Sequence, residues 1–339
     1  MVGRGSLNMT RMGNPGSAPK ICEEPLTGPG VWERNDVSKD DWRMPIPPAA
    51  LAEIEALGRT LRAHPMETSA LDPRDYALDA CRRFMARVRE ALDEGVGFAV
   101  LDRLPTNTFD KDGLKKIYWL LSGMIGRPVA QSYDGRLLYD VLDTGARIDT
   151  RVRGDLTRQE LSWHTDYGFN FPPPHIGLLV LGTAREGGTS SVASMLAIHN
   201  VLRDRHPALL RRLYEPFCWN RQGEHAEGDV VVHRFPVFSY DGREVRGRFI
   251  KWLLYKGYEL TGEPFDRTGR DAIETMFDIM SEPDRHISFS LEPGQIQYVN
   301  NYRLAHRRTE YEDATDDPEA RRHLVRIFLR DEGKRTFMG

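Results

Sequence analysis

His164 and Asp166 stand two residues apart in WHTDYGFNFPPPH, residues 163–175, between aromatic side chains and ahead of three prolines. On an extended strand, residues i and i+2 face the same way, so the imidazole and the carboxylate project side by side and Thr165 turns to the other face. Such a pair supplies two of the three ligands of a facial site that leaves half of an octahedral iron(II) open. A surface His-x-Asp pair has the same spacing, so the third ligand carries the decision. His306, in PGQIQYVNNYRLAHRRTEYED, follows a buried strand about 140 residues beyond Asp166 and suits a ligand at a barrel mouth. His175, His199, His206 and His233 compete with it. His199 and His206 fall on a predicted amphipathic helix and read as surface residues, and His175, after the prolines, reads as structural.

Arg322 and Arg326 lie four apart in RRHLVRIFLR, residues 321–330, among alternating apolar residues. On a continuous strand both share one face. Arginines that project inward need anionic partners, and the planar guanidinium matches a carboxylate with two parallel bonds. A pair of exposed edge-strand arginines is the alternative.

These residues need strands to position them. From about residue 129 the chain reads as short β runs separated by turns: RLLYDVL, HIGLLVLGTA, SSVASM, DVVVHRFPVFSY, HISFSL, QIQYVNN and HLVRIFLR. EPGQ, residues 292–295, is a turn between two of them. Helical inserts are predicted at AIHNVLRDRHPALLRRLYE and DRTGRDAIETMFDIM. Upstream, LDACRRFMARVREALDEG carries Leu78, Cys81, Phe84, Met85, Val88 and Leu92 at helical spacing and ends at Gly95. VGFAVLDRLP follows as a buried strand, and FDKDGLKKIYWLLSGMIG as a second helix closed by Gly126. No GxGxxG joins a strand to a helix, so a dinucleotide fold is set aside. The expected class is mainly β with flanking helices, a sandwich, barrel or jelly roll.

Composition is that of an ordinary globular chain: 339 residues, 40% hydrophobic, 29% charged, net charge −3. A near-neutral balance argues against a nucleic-acid partner. No apolar run reaches the roughly 18 residues of a membrane span, and no secretory leader is visible. Cys22, Cys81 and Cys218 form no CxxC pair and read as free thiols in a reducing cytoplasm. Residues 1–30, rich in Gly, Ser, Asn and Pro at their start, are expected to form a disordered tail, and residues 31–339 a single domain. A homo-oligomer is left open.

Taken in order, WHTDYGFNFPPPHIGLLVL, EGGTSSVASMLAIHNVL, PGQIQYVNNYRLAHRRTEYED and RRHLVRIFLRDEG resemble the taurine dioxygenase-like and clavaminate synthase-like oxygenases that use iron(II), 2-oxoglutarate and O2. The resemblance covers roughly residues 85–332. It implies a double-stranded β-helix, or jelly roll, in which His164, Asp166 and His306 hold iron and Arg322 binds the distal carboxylate of 2-oxoglutarate. It also implies a hydroxyl contact to that carboxylate after Gly187–Gly188; the usual register selects Ser190, with Thr189 as the neighbour that could substitute. Arg326 resembles the second arginine, which contacts either the keto-acid end of 2-oxoglutarate or a substrate carboxylate. Halogenating relatives replace the acidic ligand with a small residue, and Asp166 therefore points to hydroxylation or desaturation. The expected substrate is small, polar and carboxylate-bearing, an amino acid or a derivative; a sulfonate, an aryloxy acid or a natural-product intermediate is the alternative. Gln131, Tyr139 and Asp140 are expected in the substrate pocket wall, within a segment, 130–162, that also reads as a lid. A zinc hydrolase and a non-catalytic jelly-roll binding protein are the rivals from other classes. HExxH is absent, as are the deaminase CxxC and the GxSxG elbow.

Overall fold

The architecture was read from a computed structural model, which describes residues 19–145, 154–314 and 321–336. Two β layers face each other. The major sheet runs in the order Arg43–Met44, Phe98–Leu101, Ile296–Asn300, His175–Gly182, His323–Leu329 and Pro128–Val129, and Leu138–Val141 also pairs with His323–Leu329. The minor sheet runs His286–Phe289, Ser190–Ser194, Leu304–Arg308 and Leu161–His164. Apart from the parallel contact between Arg43–Met44 and Phe98–Leu101, the pairings in these two sheets are antiparallel. This is the double-stranded β-helix expected from the sequence.

The strands Phe98–Leu101, Ile296–Asn300 and His323–Leu329 of the major sheet are covered on both faces, which is why two of them, Phe98–Leu101 and His323–Leu329, read as nearly unbroken apolar runs. On His323–Leu329, Val325, Ile327 and Leu329 pack outward with the helices Pro48–Ala63, Asp79–Asp93 and Lys111–Ser122. Leu324 and Phe328 lie on the opposite, inward face, among other core residues. Gly177 sets how closely the helices approach. A Cβ there would fall 2.5 Å from the Tyr118 hydroxyl and 2.7 Å from the Tyr298 ring. The helix carrying Tyr118 therefore rests on a bare backbone.

Between the minor-sheet strands Ser190–Ser194 and His286–Phe289 the chain inserts four helices, Met195–Arg205, Pro207–Leu213, Lys251–Thr261 and Arg267–Ser281. The first two were expected as one helical insert. Pro207 divides them, since the residue before a proline avoids helical geometry and His206 takes φ −138°. Pro48–Ala63 and Lys251–Thr261 were not read from the sequence at all. His199, expected at the surface, is fully buried: its helix turns Met195, Ile198, His199 and Leu202 into the core. There Nε2 of His199 meets the Tyr214 hydroxyl at 2.8 Å, while Nδ1 has no partner.

The disordered tail expected over residues 1–30 does not hold for residues 19–30. Residues 1–18 lie outside the described residues, but from residue 19 the chain packs on the domain. Cys22 is buried, Leu26 donates to Asn200 at 2.9 Å, and the Ser194 hydroxyl donates to the Gly30 carbonyl at 2.7 Å. The three cysteines are buried and unpaired. Among the described residues no helix is long and apolar enough to cross a membrane.

Candidate active site

His164 closes the edge strand of the minor sheet, and His306 lies opposite it on the neighbouring strand, in register. Residues paired across an antiparallel ladder point to the same face, and the two imidazole centroids are 4.2 Å apart. His306 thus sits within a strand, not just after one, and Val192 faces it from the other side. Asp166 follows the edge strand, its Oδ1 3.7 Å from Nε2 of His164. One ligand atom from each of His164, Asp166 and His306 lies within 4.8 Å of the others.

The backbone around Asp166 is held from two directions. Asn301 accepts from the Asp166 N–H at 2.8 Å and donates to its carbonyl at 2.9 Å. Thr165 exchanges hydrogen bonds with Phe249 through its N–H and its hydroxyl. Tyr167 then takes φ +61°, a costly left-handed conformation for a bulky residue, which those contacts over-determine.

The chemistry of the donor set fits a divalent metal. Metal-binding histidines must be neutral, and burial pushes both imidazoles that way. His306 is pushed down to about 3 by burial, the neighbouring His164 and Arg326, and its Nδ1 is buried with no partner. His164 is lowered by burial first, against the pull of Asp166. Its Nδ1 lies 2.8 Å from the Ser162 carbonyl, which leaves Nε2 for the cluster.

Arg326 borders this cluster, nearly fully buried. Nη1 reaches Asp166 Oδ1 at 3.3 Å and Asp155 Oδ2 at 2.9 Å, Nε donates to Gln131 Oε1 at 2.9 Å, and Nη2 has no partner. Arg322 shares its strand face but lies further along, over the Tyr311 ring at 4.9 Å and beside Gly188 and Thr189. Burial lowers the Arg322 pKa, and among the described residues its guanidinium forms no ion pair. A second buried arginine, Arg308, also sits over Tyr311, at 4.7 Å. It is pushed down to about 10 by burial and by Arg322, and it donates to the carbonyls of Thr157, Arg158 and Gln159. Strand alternation puts Ser190, paired with Arg308, on the His306 face, while Thr189 lines the cavity at Arg322.

The other expected wall residues resolve differently. Gln131 is fully buried and holds Arg326 from behind, also donating to the Arg326 carbonyl at 3.0 Å. Tyr139 packs its ring 5.0 Å from the Arg326 guanidinium. Asp140 is corrected: it faces away from the cavity, paired with Lys115 and His323 at 2.7 Å each, because it alternates with Tyr139 on the same strand. Its carboxyl is held down at about 2 by His323 and Lys115. Within the segment expected as a lid, residues 146–153 lie outside the described residues. His175 is structural as expected, bonded to Asp93 at 2.6 Å.

A cavity of about 510 Å³ opens beside His164 and Asp166. Tyr167, Phe169, Trp252 and Phe277 give it an aromatic lining, and Asp155 and Arg326 lie at its metal end. Lys251, its ammonium bonded to Glu274 and 4.4 Å from the Phe277 ring, forms another part of the wall. Sequence reading missed Asp155, Arg308 and the Lys251–Phe277 wall. Only Arg308 left a trace, as the second arginine after His306.

A double-stranded β-helix that presents two imidazoles and one carboxylate at the end of a mixed polar and aromatic cavity is the framework of the mononuclear non-haem iron oxygenases. Comparison with known proteins agrees. The chain belongs to the taurine catabolism dioxygenase TauD, TfdA family, whose profile matches residues 54–328. It is 28% identical to FR-33289 synthase of Streptomyces rubellomurinus over 323 residues, 94% of each chain. Its fold is similar to asparagine oxygenase in complex with Fe(II), 2S,3S-3-hydroxyasparagine and succinate, with TM-score 0.63 and 18% identity over 85% of this chain and 93% of that one. It is also similar to the non-haem iron oxygenase OrfP in complex with Fe and alpha-ketoglutaric acid, with TM-score 0.61 and 16% identity over 86% and 94%. The protein is an iron(II)- and 2-oxoglutarate-dependent dioxygenase that also consumes O2.

Proposed function

We propose that the enzyme oxidises an unactivated C–H bond of a small carboxylate-bearing metabolite, an amino acid or a derivative, with hydroxylation as the outcome. The observation that carries the substrate class is Arg326, a buried arginine on the cavity wall beside Asp166 with one guanidinium nitrogen unpartnered. Similarity in fold to an asparagine oxygenase supports the amino-acid reading. A biosynthetic intermediate is the second reading, favoured by the full-length similarity to FR-33289 synthase. Three unpaired cysteines fit a cytoplasmic setting.

In this reading His164, Asp166 and His306 hold iron, and Arg322 takes the distal carboxylate of 2-oxoglutarate with help from Thr189 or Ser190. When bound, iron supplies the oxygen chemistry: one O2 and one 2-oxoglutarate give succinate and CO2, and the substrate C–H becomes C–OH. The chain's part is position and exclusion. Asn301 and Thr165 fix the ligand loop, Gln131 and Tyr139 hold Arg326, and the aromatic walls keep bulk water from the reacting carbon. Succinate formation from 2-oxoglutarate, with iron(II) and a panel of free amino acids, tests the proposal. Asp166→Ala and His306→Ala should abolish both metal binding and substrate oxidation in a folded protein. Strong oxidation by folded Asp166→Ala would overturn the ligand set, and turnover stimulated only by carboxylate-free compounds would overturn the substrate class.

A further inference from the structure

We infer that Asp155 is a specificity-determining residue that accepts the ammonium group of a zwitterionic substrate, next to the arginine that takes its carboxylate. The inference rests on the amino-acid reading above and deepens it.

Asp155 is buried, with 7% of its side chain exposed, and lines the cavity beside Arg326, whose side chain is 6% exposed. The two are joined through one atom of each, Nη1 to Oδ2 at 2.9 Å. Their remaining atoms, Asp155 Oδ1 and Arg326 Nη2, are both buried and both without a partner. A buried carboxylate oxygen left unbonded is costly, and so is a buried guanidinium N–H. Here one unused acceptor and one unused donor belong to the same ion pair at the metal end of one cavity. A ligand that carries a donor and an acceptor a bond or two apart satisfies both at once. The ammonium and carboxylate of an α-amino acid are such a pair.

Charge selects the same ligand. Arg326 faces two carboxylates, those of Asp155 and Asp166. Once Asp166 serves a metal, Arg326 and Asp155 remain as a neutral pair, which a net-neutral zwitterion complements and a lone anion does not. The strap that carries Asp155 is fixed in place. Arg308 bonds the carbonyls of Thr157, Arg158 and Gln159, the Tyr311 N–H donates to the Arg158 carbonyl, and the Thr144 N–H donates to the Leu156 carbonyl. The acceptor is thus held ready before any substrate arrives.

The test compares two substrates in each enzyme, so that the fraction of folded protein cancels. The probes are the best-accepted free L-amino acid and its analogue in which the 2-amino group is replaced by hydrogen, assayed by substrate-dependent succinate formation. Dissociation constants measured by calorimetry with 2-oxoglutarate present and oxygen excluded give the same ratio without turnover. The wild type should prefer the amino acid by at least tenfold, since a site built to bond a polar group rejects the analogue that lacks it. Asp155→Asn and Asp155→Ala should cut that preference at least tenfold. If both variants weaken amino acid and analogue equally, Asp155 only positions Arg326 and the inference is overturned while the amino-acid reading stands. If no amine-bearing acid stimulates the wild type, the amino-acid reading fails and the role of Asp155 falls with it.

Discussion

Replacing Arg322 by alanine should separate cosubstrate binding from fold stability, because the two effects have opposite signs. Arg322 is 7% exposed, forms no ion pair among the described residues, and has Arg308 as a like-charged neighbour. Deleting its stem removes two methylenes of burial, worth about 1.6 kcal/mol. Deleting its charge relieves a desolvation cost of several kcal/mol, which Tyr311 and Asp313 offset only in part in the cosubstrate-free protein. Unfolding in urea without 2-oxoglutarate should therefore show Arg322→Ala as stable as the wild type, or more so. With 2-oxoglutarate the order reverses. Losing one partner of a desolvated arginine–carboxylate pair costs about 2–5 kcal/mol, or roughly 30- to 5000-fold in affinity. A concentration one hundred times the wild-type Kd stabilises the wild type by about 2.7 kcal/mol, and a variant weakened one-hundredfold by only about 0.4 kcal/mol. Thermal shifts with a redox-silent divalent metal, checked against the 2-oxoglutarate dependence of succinate release, measure both arms. An undiminished 2-oxoglutarate shift in Arg322→Ala would refute the role. A large loss of stability without the cosubstrate would refute the electrostatic accounting.

Gly188→Ala should raise the 2-oxoglutarate KM at least several-fold while leaving metal affinity intact, because Gly188 has φ +68° and a Cβ there would stand 3.2 Å from Nε of Arg322. Equal losses of metal and 2-oxoglutarate binding would point instead to collapse of the whole site. His199 should make the fold acid-sensitive. Burial and Arg203 hold it at about 4, below its ordinary 6.5, so its contribution is complete above pH 6.5. As pH falls from 6.5 towards 4 the unfolded chain takes up a proton that the folded chain refuses. That costs up to about 1.4 kcal/mol per pH unit and about 3 kcal/mol in all. The urea midpoint of His199→Gln should fall less than that of the wild type over that interval, and parallel curves would show that His199 is not buried neutral.

The site was legible where chemistry and periodicity coincide in sequence. His164 and Asp166 are two apart, and Arg322 and Arg326 four apart, so both spacings suggest a shared face without any tertiary knowledge, although Asp166 falls just past one strand and Arg322 just before another. Asp140 failed because a strand alternates, and which face is inward is decided by the partner strand at Leu324–Ile327; its neighbour Tyr139 takes the inward face and packs on Arg326. His199 was misread because a helix with apolar residues on more than one side does not announce which face the core will take. Asp155 lies in the segment 130–162 read as pocket wall and lid, but nothing in the sequence singled it out. It becomes conspicuous only because Arg326, 171 positions later, lies within 2.9 Å. The helix Lys251–Thr261 was hidden because aromatic and glycine residues weaken its helical pattern, and packing against Phe217–Asn220 fixes it.

The register that sets His306 opposite His164 has a consequence for how the protein is made. The two strands are about 140 residues apart in the chain. At about 5–20 residues per second, the ribosome delivers His306 roughly 7–30 s after His164. Through that interval the edge strand Leu161–His164 has no ladder to join, and Trp163, 1% exposed in the finished protein, has no core to enter. Asn301, which clamps the backbone of Asp166, arrives equally late. The nascent chain can thus display a histidine and a carboxylate but no cage for a metal. With the ligand set proposed above, tight metal capture belongs to the end of synthesis, and the appearance of metal affinity during translation would time the closing of the minor sheet.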